Sequence, residues 1–369
     1  MNPPHAVGRL ARVRLALPTV TSFPRRVLSG DAVLPRRTVL TGLLASGSVL
    51  AVGLAGCSTD TASGSAGSAA STSDAGWSFT DDLGTTITLD HTPTRIAGLN
   101  DVIVSLLNYG ITPVASFGYS SLKADQRFDG LDISGITQVG TSYGEIDLEK
   151  LAEAKPDIIV TNIYPTDAKG TIDRSAPDYG IKDMDQQKQL AQIAPIVTLY
   201  MGGDGGTVVR RTTALATSLG AKAALVAAAK AKYDAAVTAL AAAAKKSDVL
   251  VTAMYADADG VDVAKPADDP ALRLYRNVGV RMTVPTPKGY YWGIYSWENA
   301  GKVGGDVILL EQSGYSVAEL EKQETFADAP ALKAGQVHPW TSAGMDYVAQ
   351  AAYMTRLAGW LGESKVVTS

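Results

Sequence analysis

The sequence predicts an α/β protein of two layered lobes joined by a single long, rigid helix. Three observations lead there. Short apolar β-type runs alternate with helical runs between about 95 and 200, an alanine-rich stretch without glycine or proline fills 221–246, and the alternation starts again beyond 247. The lobes are expected at 77–220 and 247–369, with 221–246 between them.

Trp77-Ser78-Phe79-Thr80-Asp81-Asp82 and Thr85-Thr86-Ile87-Thr88-Leu89 flank Leu83-Gly84 and read as a β-hairpin that opens the globular part. Residues 95–99 then read as a strand, 102–109 as a helix and 113–117 as a strand. A helix is expected over 147–154 with Asp147 at its start, and the apolar run 157–162 is the kind of strand buried in a parallel sheet. Residues 186–193 read as helical and 195–200 as extended. After the glycine-rich turn at 202–206 come about forty helical residues divided by Gly220. The second half, 221–246, would run roughly 35–40 Å at ~1.5 Å per residue. Its apolar positions are mainly alanine and carry no leucine or isoleucine heptad, so it reads as a strut and not as a coiled-coil arm. In the second lobe, strands are expected at 249–255 and 306–310, with helices at 270–278, 297–303 and 345–361. The last of these carries Tyr347, Ala351, Met354 and Ala358 on one side.

Cys57 is the only cysteine, so no disulfide can form within the chain. It closes Leu54-Ala55-Gly56-Cys57 at the end of an uncharged run that begins at Thr38 and is headed by Arg36-Arg37. The four residues resemble the lipobox of bacterial lipoproteins, and Pro35-Arg36-Arg37-Thr38-Val39-Leu40 resembles a twin-arginine export signal. The expectation is a signal peptide over 1–56, a lipidated Cys57, and a flexible tether over 57–76 made almost entirely of Ser, Thr, Ala, Gly and Asp. The rest would then lie on the outer face of the cell membrane. The whole chain has 33 basic and 37 acidic residues, net −4, and seven arginines precede Cys57, so the remainder is more acidic still. Nucleic acid is thereby a poor partner, since phosphate binding needs a basic face.

Specific segments carry a family resemblance. Thr80-Asp81-Asp82-Leu83-Gly84 followed by Thr94-Arg95-Ile96-Ala97, then Asp147-Leu148-Glu149-Lys150-Leu151 with Lys155-Pro156-Asp157-Ile158-Ile159-Val160, come in order. Ser296-Trp297-Glu298 before Gly305-Asp306-Val307-Ile308-Leu309, and the run 329–337, complete the series. Together they resemble the periplasmic binding proteins of iron–siderophore and cobalamin ABC importers. The resemblance implies a ligand cleft between the lobes, no enzymatic activity, a monomer, and a permease partner. It also implies that Glu149 and Glu298, one on each lobe, dock on permease arginines. The bland reading of both is a helix-start glutamate that favours the dipole.

Tyr143 stands where relatives place a cleft aromatic or arginine, and Tyr119 and Tyr164 follow first-lobe strands. Tyr290, Tyr291, Trp292 and Tyr295 would line the cleft from the second lobe, in a run taken as a loop because Pro285, Pro287, Gly289 and Gly293 flank it. These loops hold almost no arginine. Aromatic faces with hydroxyl tips therefore suit a near-neutral ferric siderophore of hydroxamate type better than an anionic catecholate or citrate complex, with cobalamin and haem as alternatives. No cofactor or directly coordinated metal is expected, because His91 and His338 are far apart and no acidic or cysteine cluster accompanies them. The rival reading is a serine hydrolase. Gly140-Thr141-Ser142-Tyr143-Gly144 fits the G-x-S-x-G pattern, with Asp306 and His338 downstream, but Glu145-Ile146 stand where a nucleophile elbow needs its helix.

Overall fold

A computed structural model of the chain describes residues 76–341 and 344–368. The signal segment, Cys57 and nearly all of the tether lie outside the described residues. The hairpin forms as expected: β1 (Trp77–Thr80) pairs antiparallel with β2 (Thr86–Leu89), Phe79 opposite Ile87. Trp77, Phe79 and Ile87 point inward while their neighbours face solvent, the alternation of a sheet with one wet face.

The first lobe runs β3 (Ile96–Leu99), α1 (Asn100–Asn108), β4 (Ala115–Phe117), β5 (Thr137–Gln138), α2 (Leu148–Glu153), β6 (Ile158–Ile163), α3 (Met184–Ile193) and β7 (Ile196–Tyr200). Its sheet is parallel throughout, in the order β5-β4-β3-β6-β7. From β3 the chain adds strands on one side, then returns to add β6 and β7 on the other. Such a reversal opens a crevice beyond the carboxyl ends of the two central strands, here β3 and β6.

Two helices follow, α4 (Gly205–Ser218) and α5 (Ala223–Lys246). The bonds Gly220 N→Thr217 O (3.1 Å) and Ala221 N→Ala216 O (3.0 Å) close α4 and release the chain into α5. The long helix buries Ala229, Ala236, Leu240 and Ala244 along one side. Small residues there allow the closing helix, α10 (Tyr347–Glu363), to lie close along it.

The second lobe contains β8 (Val251–Ala256), β9 (Gly260–Ala264), α6 (Pro270–Asn277), β10 (Trp292–Ser296), α7 (Trp297–Ala300), β11 (Val307–Glu311), α8 (Val317–Leu320), α9 (Pro330–Lys333), β12 (Val337–Trp340) and α10 (Tyr347–Glu363). Its sheet is mixed, in the order β10-β9-β8-β11-β12, with β8, β11 and β12 parallel and β9 and β10 antiparallel to their neighbours. The run expected as an aromatic loop is thus partly strand. Gly293 is not a turn residue: a Cβ there would come within 2.4 Å of Pro285 Cβ, so the glycine permits a close approach inside β10.

The described residues belong to one compact unit. A large core joins the hairpin, α1, α4, α5, α6 and α10, and one smaller cluster sits on the far face of each sheet. Asp346 caps α10 by accepting from Val348 N (2.8 Å) and Ala349 N (2.9 Å). Its other oxygen accepts from Ser105 Oγ (2.7 Å) and Asn108 Nδ2 (3.1 Å) of α1, which ties the first lobe to the closing helix.

Candidate ligand site

Each central strand of the first lobe delivers a polar or aromatic residue just past its carboxyl end: Asp101 after β3, Tyr119 after β4 and Tyr164 after β6. Tyr143 follows β5 on a turn whose glycines have a packing reason. A Cβ on Gly140 would lie 2.3 Å from Glu145 O, and Gly144 adopts φ +74° against Lys182. That explains the glycine spacing without a nucleophile. Ser142 is exposed, Asp306 accepts from Leu250 N, Val367 N and Thr368 N, and His338 stacks on Trp360 at 4.5 Å. The three residues of the hydrolase reading are therefore engaged separately.

At the centre of the first-lobe aromatics is a residue that the sequence did not single out. Tyr179 meets Tyr164 at 4.9 Å, Tyr143 at 5.3 Å and Tyr119 at 6.4 Å between ring centroids, each edge to face. It reaches that place because its segment doubles back on β6: Tyr179 N donates to Asn162 O (2.8 Å), and Thr161 Oγ1 donates to Tyr179 O (2.8 Å). Desolvation pushes the phenols of Tyr119, Tyr164 and Tyr179 well above their ordinary range and that of Tyr143 upward, although Tyr119 and Tyr143 keep 38% and 46% of their surface exposed. All four stay protonated as hydrogen-bond donors.

An arginine also belongs to this site, contrary to the expectation of arginine-poor loops. Asp125 caps a 3₁₀ turn, Gln126–Phe128, whose buried Phe128 anchors it and places Arg127 beside Tyr119. Arg127 donates to Asp101 Oδ1 (2.6 Å), to Asp125 Oδ2 (2.6 Å) and to the Tyr119 hydroxyl (3.3 Å). Tyr119 in turn donates to Asp101 (2.8 Å). Burial opposes the guanidinium charge, but Tyr119 and the two carboxylates outweigh it and raise the Arg127 pKa. One buried cation thus stands against two anions.

From the second lobe, Tyr291 has φ +65°, a conformation that costs a non-glycine residue on the order of 1–3 kcal/mol. Its N–H donates to Asp268 Oδ2 (3.1 Å), its carbonyl accepts from Lys265 N (2.8 Å), and its hydroxyl donates to Asp269. Tyr291 packs edge to face on Trp292 (5.0 Å) and on Tyr290 (6.3 Å), and Trp292 meets Trp340 at 6.2 Å. Tyr164 of the first lobe and Trp292 of the second pack against the same hydrophobic core. Tyr164 is raised by burial first, then by Asp101 of its own lobe, Tyr179 and Asp269 of the other; Glu311 contributes to the rise of Tyr179. Tyr295 does not join them. The alternation of β10 turns it into the second-lobe core at 7% exposure, beneath Thr286.

Glu149 and Glu298 lie in the first turns of α2 and α7, exposed, and neither joins an ion pair among the described residues. A hydrogen bond with Ser296 holds the Glu298 carboxyl below its ordinary range. Two open depressions, of about 410 Å³ beside Gln138 and Glu145 and about 420 Å³ between Lys169, Tyr200 and Arg211, are not lined by the clustered aromatics. Among the described residues no three His, Cys, Asp or Glu side chains could hold a metal ion; His91 pairs with Asp90 at the surface. No described helix is long and apolar enough to cross a membrane.

A family model for periplasmic binding proteins matches residues 100–343. No curated protein matches the chain. Among solved structures, the chain is similar to DesE, a ferric-siderophore receptor protein from Streptomyces coelicolor, at 29% identity and a TM-score of 0.71, over 79% of this chain and 100% of that one. The iron uptake ABC transporter substrate-binding protein PiuA from Streptococcus pneumoniae shares the fold at 17% identity and a TM-score of 0.58, over 77% of this chain and 98% of that one. So does SirA from Staphylococcus aureus, solved with staphyloferrin B, at 16% identity and a TM-score of 0.54, over 78% and 99%. With its doubly wound first sheet, mixed second sheet and bridging helix, the chain belongs to the periplasmic binding protein family and has the two-lobed α/β fold of its siderophore and iron-uptake members.

Proposed function

We propose that the protein captures a ferric siderophore of hydroxamate type between its lobes and delivers it to an ABC permease. The observation that carries the reading is the Asp101–Arg127–Asp125 group: the buried cation of the aromatic cluster is already matched by two carboxylates. Aromatic faces and protonated phenols are what the cluster offers a ligand. Both suit an uncharged or cationic trihydroxamate complex, whose rim is apolar and whose outer oxygens accept hydrogen bonds. A tricatecholate carries several negative charges. The net charge of −1 on the Asp101–Arg127–Asp125 group repels such a complex and leaves it no free cation there to pair with. The likeness to a ferric-siderophore receptor at 29% identity supports a ferric siderophore as the ligand.

In this reading the lobes are 77–220 and 247–369, and 221–246 is a strut that keeps their separation nearly constant on binding. Tyr119, Tyr143, Tyr164 and Tyr179 face the ligand from the first lobe, and Tyr290, Tyr291 and Trp292 from the second. Glu149 and Glu298 dock on the permease. Lipidated Cys57 and the tether hold a monomer at the outer face of the membrane after export by the twin-arginine route. Replacement by Cys57→Ala should release the protein into the medium. Binding is tested by quenching of tryptophan emission with a ferric trihydroxamate, a tricatecholate, ferric citrate, haem and cobalamin. Sub-micromolar affinity for the trihydroxamate is expected, and tight binding to the catecholate, haem or cobalamin alone contradicts the proposal.

A further inference from the structure

Two non-glycine residues among those described have positive φ, Lys155 and Tyr291. Lys155 follows the end of α2 directly before Pro156, where a left-handed residue ends a helix. Tyr291 ends no helix. It is fixed at three points instead: its N–H by Asp268, its carbonyl by Lys265 N, and its hydroxyl by Asp269. Both aspartates are nearly buried, at 9% and 6% exposure, and burial of a carboxylate is unfavourable unless it is well bonded.

Asp269 also serves as the N-cap of α6, accepting from Leu272 N through Oδ1 (2.7 Å), while Oδ2 takes the phenol. Capping alone needs no aspartate, since serine caps equally well, and it needs no tyrosine at 291. Nor does the core need it, because Tyr291 is only partly buried. What the arrangement does accomplish is to fix one aromatic ring edge to face between Tyr290 and Trp292, in the second lobe's aromatic run. A residue held in a strained conformation by partners with no other use for it points to function.

We propose that Asp268 and Asp269 are positioning residues that hold Tyr291 as the second lobe's fixed contact with the bound chelate. The proposal rests on the reading of this cleft as a chelate site. A ring fixed before binding loses little freedom when the ligand arrives, which sharpens affinity and selects ligand shape.

The test separates capping from positioning. Asp269→Ser keeps the cap but is too short to reach the phenol; Tyr291→Phe keeps the ring and removes the hydroxyl; Asp269→Asn keeps both contacts. In protein labelled with 3-fluorotyrosine, the ¹⁹F line missing from Tyr291→Phe identifies Tyr291 without any ligand. That line should move toward the free-tyrosine position in Asp269→Ser and stay in place in Asp269→Asn. Affinity for an uncharged ferric trihydroxamate should fall roughly tenfold in Asp269→Ser and in Tyr291→Phe, the double variant losing no more than either, because both changes break one contact. Asp269→Asn should bind within about twofold of wild type. An unmoved line, unchanged affinities or additive losses overturn the proposal. Wild type that binds no chelate overturns the reading of the cleft itself, whereas wild-type binding with unchanged variants overturns only the positioning role.

Discussion

Arg127 donates to Asp101 Oδ1 at 2.6 Å, and Tyr119 donates to the same oxygen at 2.8 Å, so one carboxylate orients both the cation and an aromatic of the cluster. Asp101→Asn keeps an oxygen for both donors while removing one negative charge. Affinity for an anionic tricatecholate should then rise by about 1–2 kcal/mol, with little change for an uncharged trihydroxamate. Titrating both chelates into the variant checks this, and an unchanged preference would separate Asp101 from ligand selection.

Tyr179 supports three other rings, and its loss should therefore exceed the loss of any one of them. Tyr179→Ala is expected to weaken trihydroxamate binding by roughly 2–3 kcal/mol, and the more exposed Tyr143→Ala by about 1 kcal/mol. Calorimetric titration of the two variants ranks them; the reverse order would remove Tyr179 from the centre of the site.

Burial pushes Asp346 up to about 6, despite the donors Ala349 N–H, Ser105, Asn108 and Val348 N–H that favour its charge. The folded-state pKa lies above the unfolded value, so this group's stabilisation is complete below about pH 4 and is lost as pH rises through about 6, by up to roughly 3 kcal/mol. Asp346→Asn should flatten the pH dependence of stability between pH 4 and 6.5. Urea unfolding midpoints of wild type and variant across that window decide the matter, and parallel curves would contradict it.

Much of this was legible because burial leaves a plain signature. The strands at 96–99 and 158–163 are covered on both faces and open on apolar residues, and the alanine stretch has no alternative to a helix. β5 is two residues long, β9 is interrupted by Asp262, and β12 contains Pro339, tolerated because the strand lies at a sheet edge. None of these carries a strong local pattern. Tyr119 and Tyr164 could be picked out because they closely follow strands, and Tyr143 by its place in the family resemblance. Tyr179 and Arg127 could not, since a return bridge to Asn162 and a 3₁₀ turn bring them in from separate loops. Tyr295 shows the converse: proline and glycine neighbours suggested a loop, whereas strand alternation in β10 turns it into the core.

Glu149 and Glu298 stand on different lobes at helix starts, apart from the aromatic cluster. If they dock on the permease, the double change Glu149→Ala, Glu298→Ala should leave chelate affinity within about twofold while cutting uptake and stimulation of permease ATPase activity. Normal uptake by the double variant would withdraw the docking role.

On the proposed reading, the cleft takes an uncharged or cationic ferric chelate on aromatic faces and rejects an anionic one. Calorimetric titration of the wild-type protein with a linear ferric trihydroxamate bearing a free ammonium, and with its N-succinylated form of the same shape, tests this most directly. The account predicts sub-micromolar binding of the ammonium form and affinity weaker by about tenfold or more for the succinylated form, the gap narrowing at high salt. Equal affinities, or tighter binding of the succinylated form, would contradict it.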